Sequence, residues 1–115
     1  LVADGRRVVL WDIAPEVVDV AATLGMPGAV VDVTDTAAAA AALAGLEDVD
    51  GLVHAAGRVA PEPVGAYTPE SWDAVLDVNL RAHALLVQLM LPQLEATARA
   101  WPDWSGRPSR RPAWR

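Results

Sequence analysis

The stretch Val49-Asp-Gly-Leu-Val-His-Ala-Ala-Gly-Arg-Val-Ala-Pro61 decides how the rest of the chain is read. A short apolar run, Gly51-Leu52-Val53, stops in His54-Ala55-Ala56-Gly57 and gives way to a polar loop containing proline. Small side chains at 55–57 let a backbone come close to whatever lies against it, since no Cβ substituent holds it off. Alone, Ala-Gly at a strand end means no more than a turn. The neighbouring segments decide between the two readings.

Working outward, short apolar runs alternate with helix-length segments. Residues 1–6 read as the last turn of a helix stopped by Gly5 in the left-handed conformation. Residues 7–12, Arg-Val-Val-Leu-Trp-Asp, read as a strand ending at Asp12. Ala14-Pro15-Glu16 opens a helix that ends near Gly25, with proline tolerated in its first turn. A second strand covers 29–33, Ala-Val-Val-Asp-Val, and Thr34 or Asp35 caps the alanine-rich helix at 36–46. The third strand is expected at 51–54. Thr68-Pro69-Glu70 starts a long helix expected to run to about Met90. Strands separated by helix-length segments predict right-handed crossovers and a parallel sheet. Runs that are continuously apolar rather than alternating agree, because strands covered on both faces need no polar side.

Composition excludes several functions. Net charge is −6 over 115 residues, so no general basic field exists for nucleic acid or an anionic membrane. There is no cysteine, hence no disulfide, thiolate metal site or cysteine nucleophile, which is compatible with a reducing, cytoplasmic setting. No uninterrupted apolar run reaches the roughly 18–20 residues of a membrane helix. His54 and His83 have no carboxylate or histidine partner at metal-ligand spacing in the sequence, and no metal is assigned. Lysine is absent, and Tyr67 is the sole tyrosine.

The chain divides at about residue 94. Residues 1–94 carry four arginines against thirteen acids, whereas 95–115 carry five arginines against two acids, with three tryptophans and three prolines. No hydrophobic period survives in 95–115, which is read as unstructured. A surface extension and a nucleic-acid arm are two accounts of it. We favour a third, an out-of-frame end, since Arg, Pro, Gly, Ala and Trp are what GC-rich DNA encodes when misread; resequencing the locus tests this. Leu1 is not a methionine, and residue 1 is read as lying inside a longer protein.

Four features carry chemistry. Asp12, at a strand tip, can accept both ribose hydroxyls of an adenosine and repel a 2′-phosphate, or simply cap the next helix. Asp32 can accept from an adenine amino group while Val33 packs on the ring, or cap the alanine helix. Ala55, Ala56 and Gly57 can floor a flat ligand. Asn79 lies mid-helix among apolar residues, where asparagine needs either partners or solvent. A glycine-rich phosphate turn belongs about 20 residues before an acid in Asp12's position. That point lies before Leu1, and no two glycines in the chain are separated by a single residue.

In order, an acid ending one strand, Asp-Val ending the next, His-Ala-Ala-Gly ending the third and Trp72-Asp-x-Val-x-Asp-Val-Asn79-Leu80 on the following helix resemble the short-chain dehydrogenases/reductases. The resemblance covers residues 1–94. Ala56-Gly57 match that family's Asn-Asn-Ala-Gly motif, while His54 and Ala55 depart from it. What the resemblance implies is a Rossmann-like α/β fold, a partial doubly wound parallel sheet lacking its first strand, with order 3-2-1-4-5. The cofactor residues would be Asp12, Ile13, Asp32, Val33, His54, Ala55, Ala56 and Gly57, with NAD favoured over NADP by Asp12. Asn79 matches the catalytic-site asparagine that holds a relay water by its backbone. The implied reaction is hydride transfer between nicotinamide and an alcohol or ketone, with possible homo-oligomers through the 69–90 helix.

The family's Ser and Tyr-x-x-x-Lys would follow residue 94. With no lysine that pair cannot exist here, Tyr67 has Ser71 four residues on, and Ser105 and Ser109 match no motif. The 115-residue chain is therefore expected to be inactive alone. It is also expected to be marginally stable, since the absent first strand would sit between those at 7–12 and 51–54. A non-catalytic nucleotide-binding or decayed module on the same fold is the alternative, and an unrelated flavodoxin-like domain would need a phosphate loop.

Overall fold

The computed structural model describes residues 1–100. A 3-10 turn, Val2–Asp4, ends at Gly5, whose φ of 77° is the left-handed stop that the sequence predicted. Strand β1 is Leu10–Asp12, and helix α1 is Val17–Thr23. Strand β2, Gly28–Val30, lies parallel to β1 with Trp11 opposite Ala29. Helix α2 is Thr36–Ala44. After an irregular stretch come a 3-10 turn at Val64–Ala66, α3 at Pro69–Leu76, a π turn at Asp77–Arg81 and α4 at Ala82–Ala100.

Pleating sorts the residues by face, because successive strand side chains point oppositely. Trp11, Ala29 and Val33 pack on a core of Val31, Ala39 and Leu86, which brings α2 and α4 to one face. Gly28 points the other way, against Ala21 and Val17 of α1. Helices on both faces of a parallel pair are the doubly wound arrangement. A Cβ on Gly28 would stand 2.6 Å from the Ala21 Cβ and 2.9 Å from the Val17 carbonyl oxygen. Only glycine lets α1 sit this close.

Helix starts follow local chemistry. Asp35 is the cap of α2, its Oδ1 accepting from the N–H groups of Ala37 and Ala38 at 3.0 Å each. Thr68 and Ser71 form a reciprocal capping box at the head of α3, and Ser71 Oγ also donates to Glu62 at 2.9 Å. The Thr68 hydroxyl and the Glu70 backbone N–H hold the Glu70 carboxyl below its ordinary range, the N–H being the larger cause.

Three expectations need correction. No strand forms at 51–54; among the described residues the sheet has two strands only. A strand is defined by the neighbour that takes its hydrogen bonds, and no strand lies beside this run. Leu52 still packs on the core, while Val53 is 73% exposed. Second, the long helix does not end near Met90 but continues through Pro92 to Ala100. Residues 95–100, assigned to an unstructured tail, are thus helical, anchored by Gln93 Nε2 donating to the Leu46 carbonyl (3.4 Å) and Thr97 Oγ1 to the Val49 carbonyl (3.1 Å). Residues 101–115, with the composition attributed to an out-of-frame end, lie outside the described residues. Third, the strand expected at 29–33 ends at Val30, so Asp32 and Val33 lie past it. Separately, Pro69–Ala98 forms 30 continuous helical residues with a mean hydropathy of 1.4 in its best window, long and apolar enough to cross a membrane by length and composition. A core helix can share these properties; here Ala82, Leu86 and Met90 are buried, while only 17% of that window is.

Candidate functional site

Parallel pairing puts the C-terminal ends of β1 and β2 side by side. Val31 N–H donates to the Asp12 carbonyl at 2.8 Å, so Asp32 follows one residue beyond the point where the chains part. Each aspartate uses Oδ1 to fix its own turn. Asp12 Oδ1 accepts from Ala14 N–H at 2.9 Å. Asp32 Oδ1 accepts from the Thr34 hydroxyl at 2.7 Å and from Thr34 N–H at 2.9 Å. The hydroxyl is the larger of the two causes that hold the Asp32 carboxyl below its ordinary range, so it is anionic at neutral pH. Among the described residues no hydrogen bond engages Oδ2 of either aspartate. Neither caps α2, the role that had competed for Asp32. Ile13 is 65% exposed at the tip of β1, and Val33 is half-buried against the core.

Asn79 stands in the middle of the π turn, and its side chain is committed to one partner. Nδ2 donates to the Arg58 carbonyl at 2.9 Å, and Oδ1 accepts from the Arg58 N–H at 2.8 Å. This pairing is what a backbone neighbour would provide, and it holds the chain directly after Gly57. A π turn places one extra residue in the helix and is frequent at functional sites. Asn79, read as needing either partners or solvent, has both: it is exposed and paired with Arg58, and neither Arg58 nor the π turn was foreseen. The only sequence signal was the asparagine itself.

The run 54–57 is brought to this turn at both ends. His54 Nε2 lies 3.2 Å from the Val78 carbonyl. Ala55, Ala56 and Gly57 are exposed. A Cβ on Gly57 would meet nothing nearer than Asn79 Oδ1, at 3.8 Å, an ordinary contact. The protein's own packing therefore does not demand glycine at 57.

His54 and His83 are spatial neighbours, their rings 5.0 Å apart and inclined at 61°. This contact, across 29 positions, was not visible in the sequence spacing; no group of three or more His, Cys, Asp or Glu gathers among the described residues. Tyr67 is a packing residue, edge-on to Trp72 with a ring separation of 6.1 Å. Near the π turn, Thr34, Asp77, Arg81, Ala82 and Leu85 line a small cavity of about 50 Å³. Asp77 and Arg81 are ion-paired there.

The family model described as enoyl-(acyl carrier protein) reductase matches residues 1–100. The chain belongs to the short-chain dehydrogenase/reductase family. A serine dehydrogenase from Escherichia coli is similar at 26% identity with a TM-score of 0.73, covering 88% of this chain and 56% of that one. The closed form of a serine dehydrogenase complexed with NADP+ is also similar, at 26% identity and TM-score 0.73, over 88% of this chain and 48% of that one. A short-chain dehydrogenase/reductase from Saccharomyces cerevisiae shares the fold at 24% identity and TM-score 0.67, over 79% and 39% of the two chains. No curated protein matches the chain. The chain thus spans about half the length of these short-chain dehydrogenase/reductase structures. The family is one of NAD(P)-dependent oxidoreductases, and the Rossmann-like α/β assignment holds.

Proposed function

We propose that this chain supplies the adenosine side and the floor of a nicotinamide dinucleotide site, with NAD favoured over NADP. The observation that supports this is the shared sheet end: Asp12 ends β1 and Asp32 lies two residues past the end of β2, each using Oδ1 to fix its own turn. Ligands of open parallel sheets bind outside the carboxyl ends of the strands. Asp12 would accept from the ribose hydroxyls beside Ile13, and Asp32 from the adenine amino group with Val33 under the ring. His54, Ala55, Ala56 and Gly57 would form the floor, and Asn79 would hold its far end. The residues fit these parts of the cofactor. The bound nicotinamide would supply the hydride at C4.

The NADP+ of the similar serine dehydrogenase carries the 2′-phosphate that the Asp12 carboxylate would repel, so the NAD preference rests on Asp12 alone. Titrating NADH and NADPH against the protein, read by nicotinamide fluorescence, tests it. Tighter binding of NADH, with Asp12→Ala narrowing the gap about tenfold, is the expected result. An unchanged ratio removes Asp12 from the role. Gly57→Ala is expected to weaken both cofactors while leaving the melting temperature unchanged.

Hydride transfer to or from an alcohol or ketone is proposed for a protein that also contains the family's Ser and Tyr-x-x-x-Lys. This chain has no lysine and is proposed to be inactive alone. The second reading is a non-catalytic nucleotide-binding module on the same fold. The genomic sequence past codon 94 separates them: a Ser and Tyr-x-x-x-Lys in any frame supports the enzyme. Self-association through the 69–90 helix is proposed from Trp72, Leu80 and Val87, which are exposed along it. Sedimentation of the wild type and of Leu80→Glu reads that out.

A further inference from the structure

The fold brings together the chain's only two histidines. His54 begins the 54–57 run, and His83 is the second residue of α4. Their ring centroids are 5.0 Å apart. His54 Nε2 lies 3.2 Å from the Val78 carbonyl oxygen. A carbonyl only accepts, so Nε2 carries the ring proton, and Nδ1 of the neutral ring keeps its lone pair. Metal-bound imidazoles share this arrangement: the far N–H is donated to a carbonyl or carboxylate, which fixes both tautomer and ring orientation. His83 is exposed, and no hydrogen bond engages its ring among the described residues. Its ring is therefore free to turn a nitrogen toward His54.

We infer that His54 and His83 form a two-histidine site for a borderline divalent transition ion such as Zn2+. Imidazole nitrogen suits zinc, copper and nickel rather than the hard cations that prefer oxygen. A zinc–nitrogen bond of about 2.0–2.1 Å puts an imidazole centroid about 3.2 Å from the ion, so two rings on tetrahedral positions have centroids about 5 Å apart. The two histidines already stand at that separation. Two protein donors leave the remaining positions to water, which makes the site open and exchangeable, unlike a structural site closed by four protein ligands. Spacing along the chain hid the pair, because the run and the helix meet only in the folded protein. The chain has no cysteine, and no group of three or more His, Cys, Asp or Glu gathers among the described residues to compete for the ion. An ion held by both rings joins the 54–57 run to α4. Because that pairing of rings exists only in the folded chain, the ion stabilises the fold by mass action.

The test uses the untagged 115-residue chain and Zn2+ alone, at neutral pH. Calorimetric titration is expected to give one ion per chain, with binding at least tenfold weaker in His54→Gln and in His83→Gln. Saturating Zn2+ is expected to raise the melting temperature of the wild type and to leave that of His83→Gln unchanged. His83 is exposed, so this variant keeps the fold and decides the matter even if His54→Gln unfolds. With Cu2+ as a second probe, electron paramagnetic resonance is expected to show two coupled imidazole nitrogens in the wild type and one in His83→Gln. Absence of stoichiometric Zn2+ binding, binding undiminished in His83→Gln, or a single coupled nitrogen in the wild type overturns the proposal. The site does not rest on the cofactor reading, and none of these measurements uses a nicotinamide cofactor.

Discussion

Residues 10–44 and residues 51–68 are held in different ways. The first region is built from paired backbone and close packing: β1 on β2, α1 seated on Gly28, α2 capped by Asp35. The second has no ladder, and most of its residues are exposed; its order rests on side chains reaching to backbone atoms, chiefly from His54 and Asn79. The lesson is that an apolar run becomes a strand only if a neighbour takes its hydrogen bonds. Leu52 found the core without one, and Val53 did not.

The strongest way to break the comparison is at the packed region. Gly28→Ala puts a methyl group into the Ala21 Cβ and the Val17 carbonyl, and overpacking of this kind costs about 1–3 kcal/mol. Urea denaturation should show that loss, with α1 and β2 failing together. A stability equal to wild type would mean that α1 is not seated as described.

In the second region the corresponding change is Asn79→Ala. It removes one acceptor and one donor to Arg58, each bond contributing about 0.5–1.5 kcal/mol, and solvent exposure puts the loss at the lower end, about 1 kcal/mol. The expected signature is local: exchange of the Arg58 amide accelerates while the amides of β1 and β2 keep their protection. Uniform acceleration would make the two regions one cooperative unit and void the contrast.

The smallest effect is electrostatic. Because the Asp32 carboxyl titrates below its ordinary value, its contribution to stability is present above the unfolded value of about 3.9 and is lost as pH falls through the folded one. Thr34→Ala deletes the hydroxyl that is the main cause. Comparing acid-unfolding curves, the variant should lose less stability than the wild type on passing from pH 5 to pH 3. An identical slope would show that the Thr34 hydroxyl does not favour the ionised form.

Much of the first region was legible because its determinants are local. Asp35 caps α2 within a few residues of the N–H groups it satisfies; outside that region Gly5 and Thr68 were legible in the same way, whereas Ser71 as the partner of Thr68 was not. Asp12 ends β1 as read, whereas β2 ends at Val30, two residues before Asp32. The bond of Val78 to His54 and of Asn79 to Arg58 spans more than twenty positions, and the His54–His83 contact spans more still. Gly28 was missed although its sequence signal existed: a glycine opening a strand, after a helix with the small residue Ala21. The helix proceeds through Pro92 despite the missing N–H.

The π turn has a mechanical corollary. One residue in an α-helix is about 100° of rotation, so the extra residue in Asp77–Arg81 re-phases everything after it. The helix consequently answers to two clocks. Thr68 and Ser71 set the angle at which Trp72 leaves the axis, while α2 sets the angle at which Ala82, Leu86 and Met90 are buried. Deleting a single residue between 77 and 81 would merge the clocks into one. It would give a more regular helix whose second half faces the wrong way.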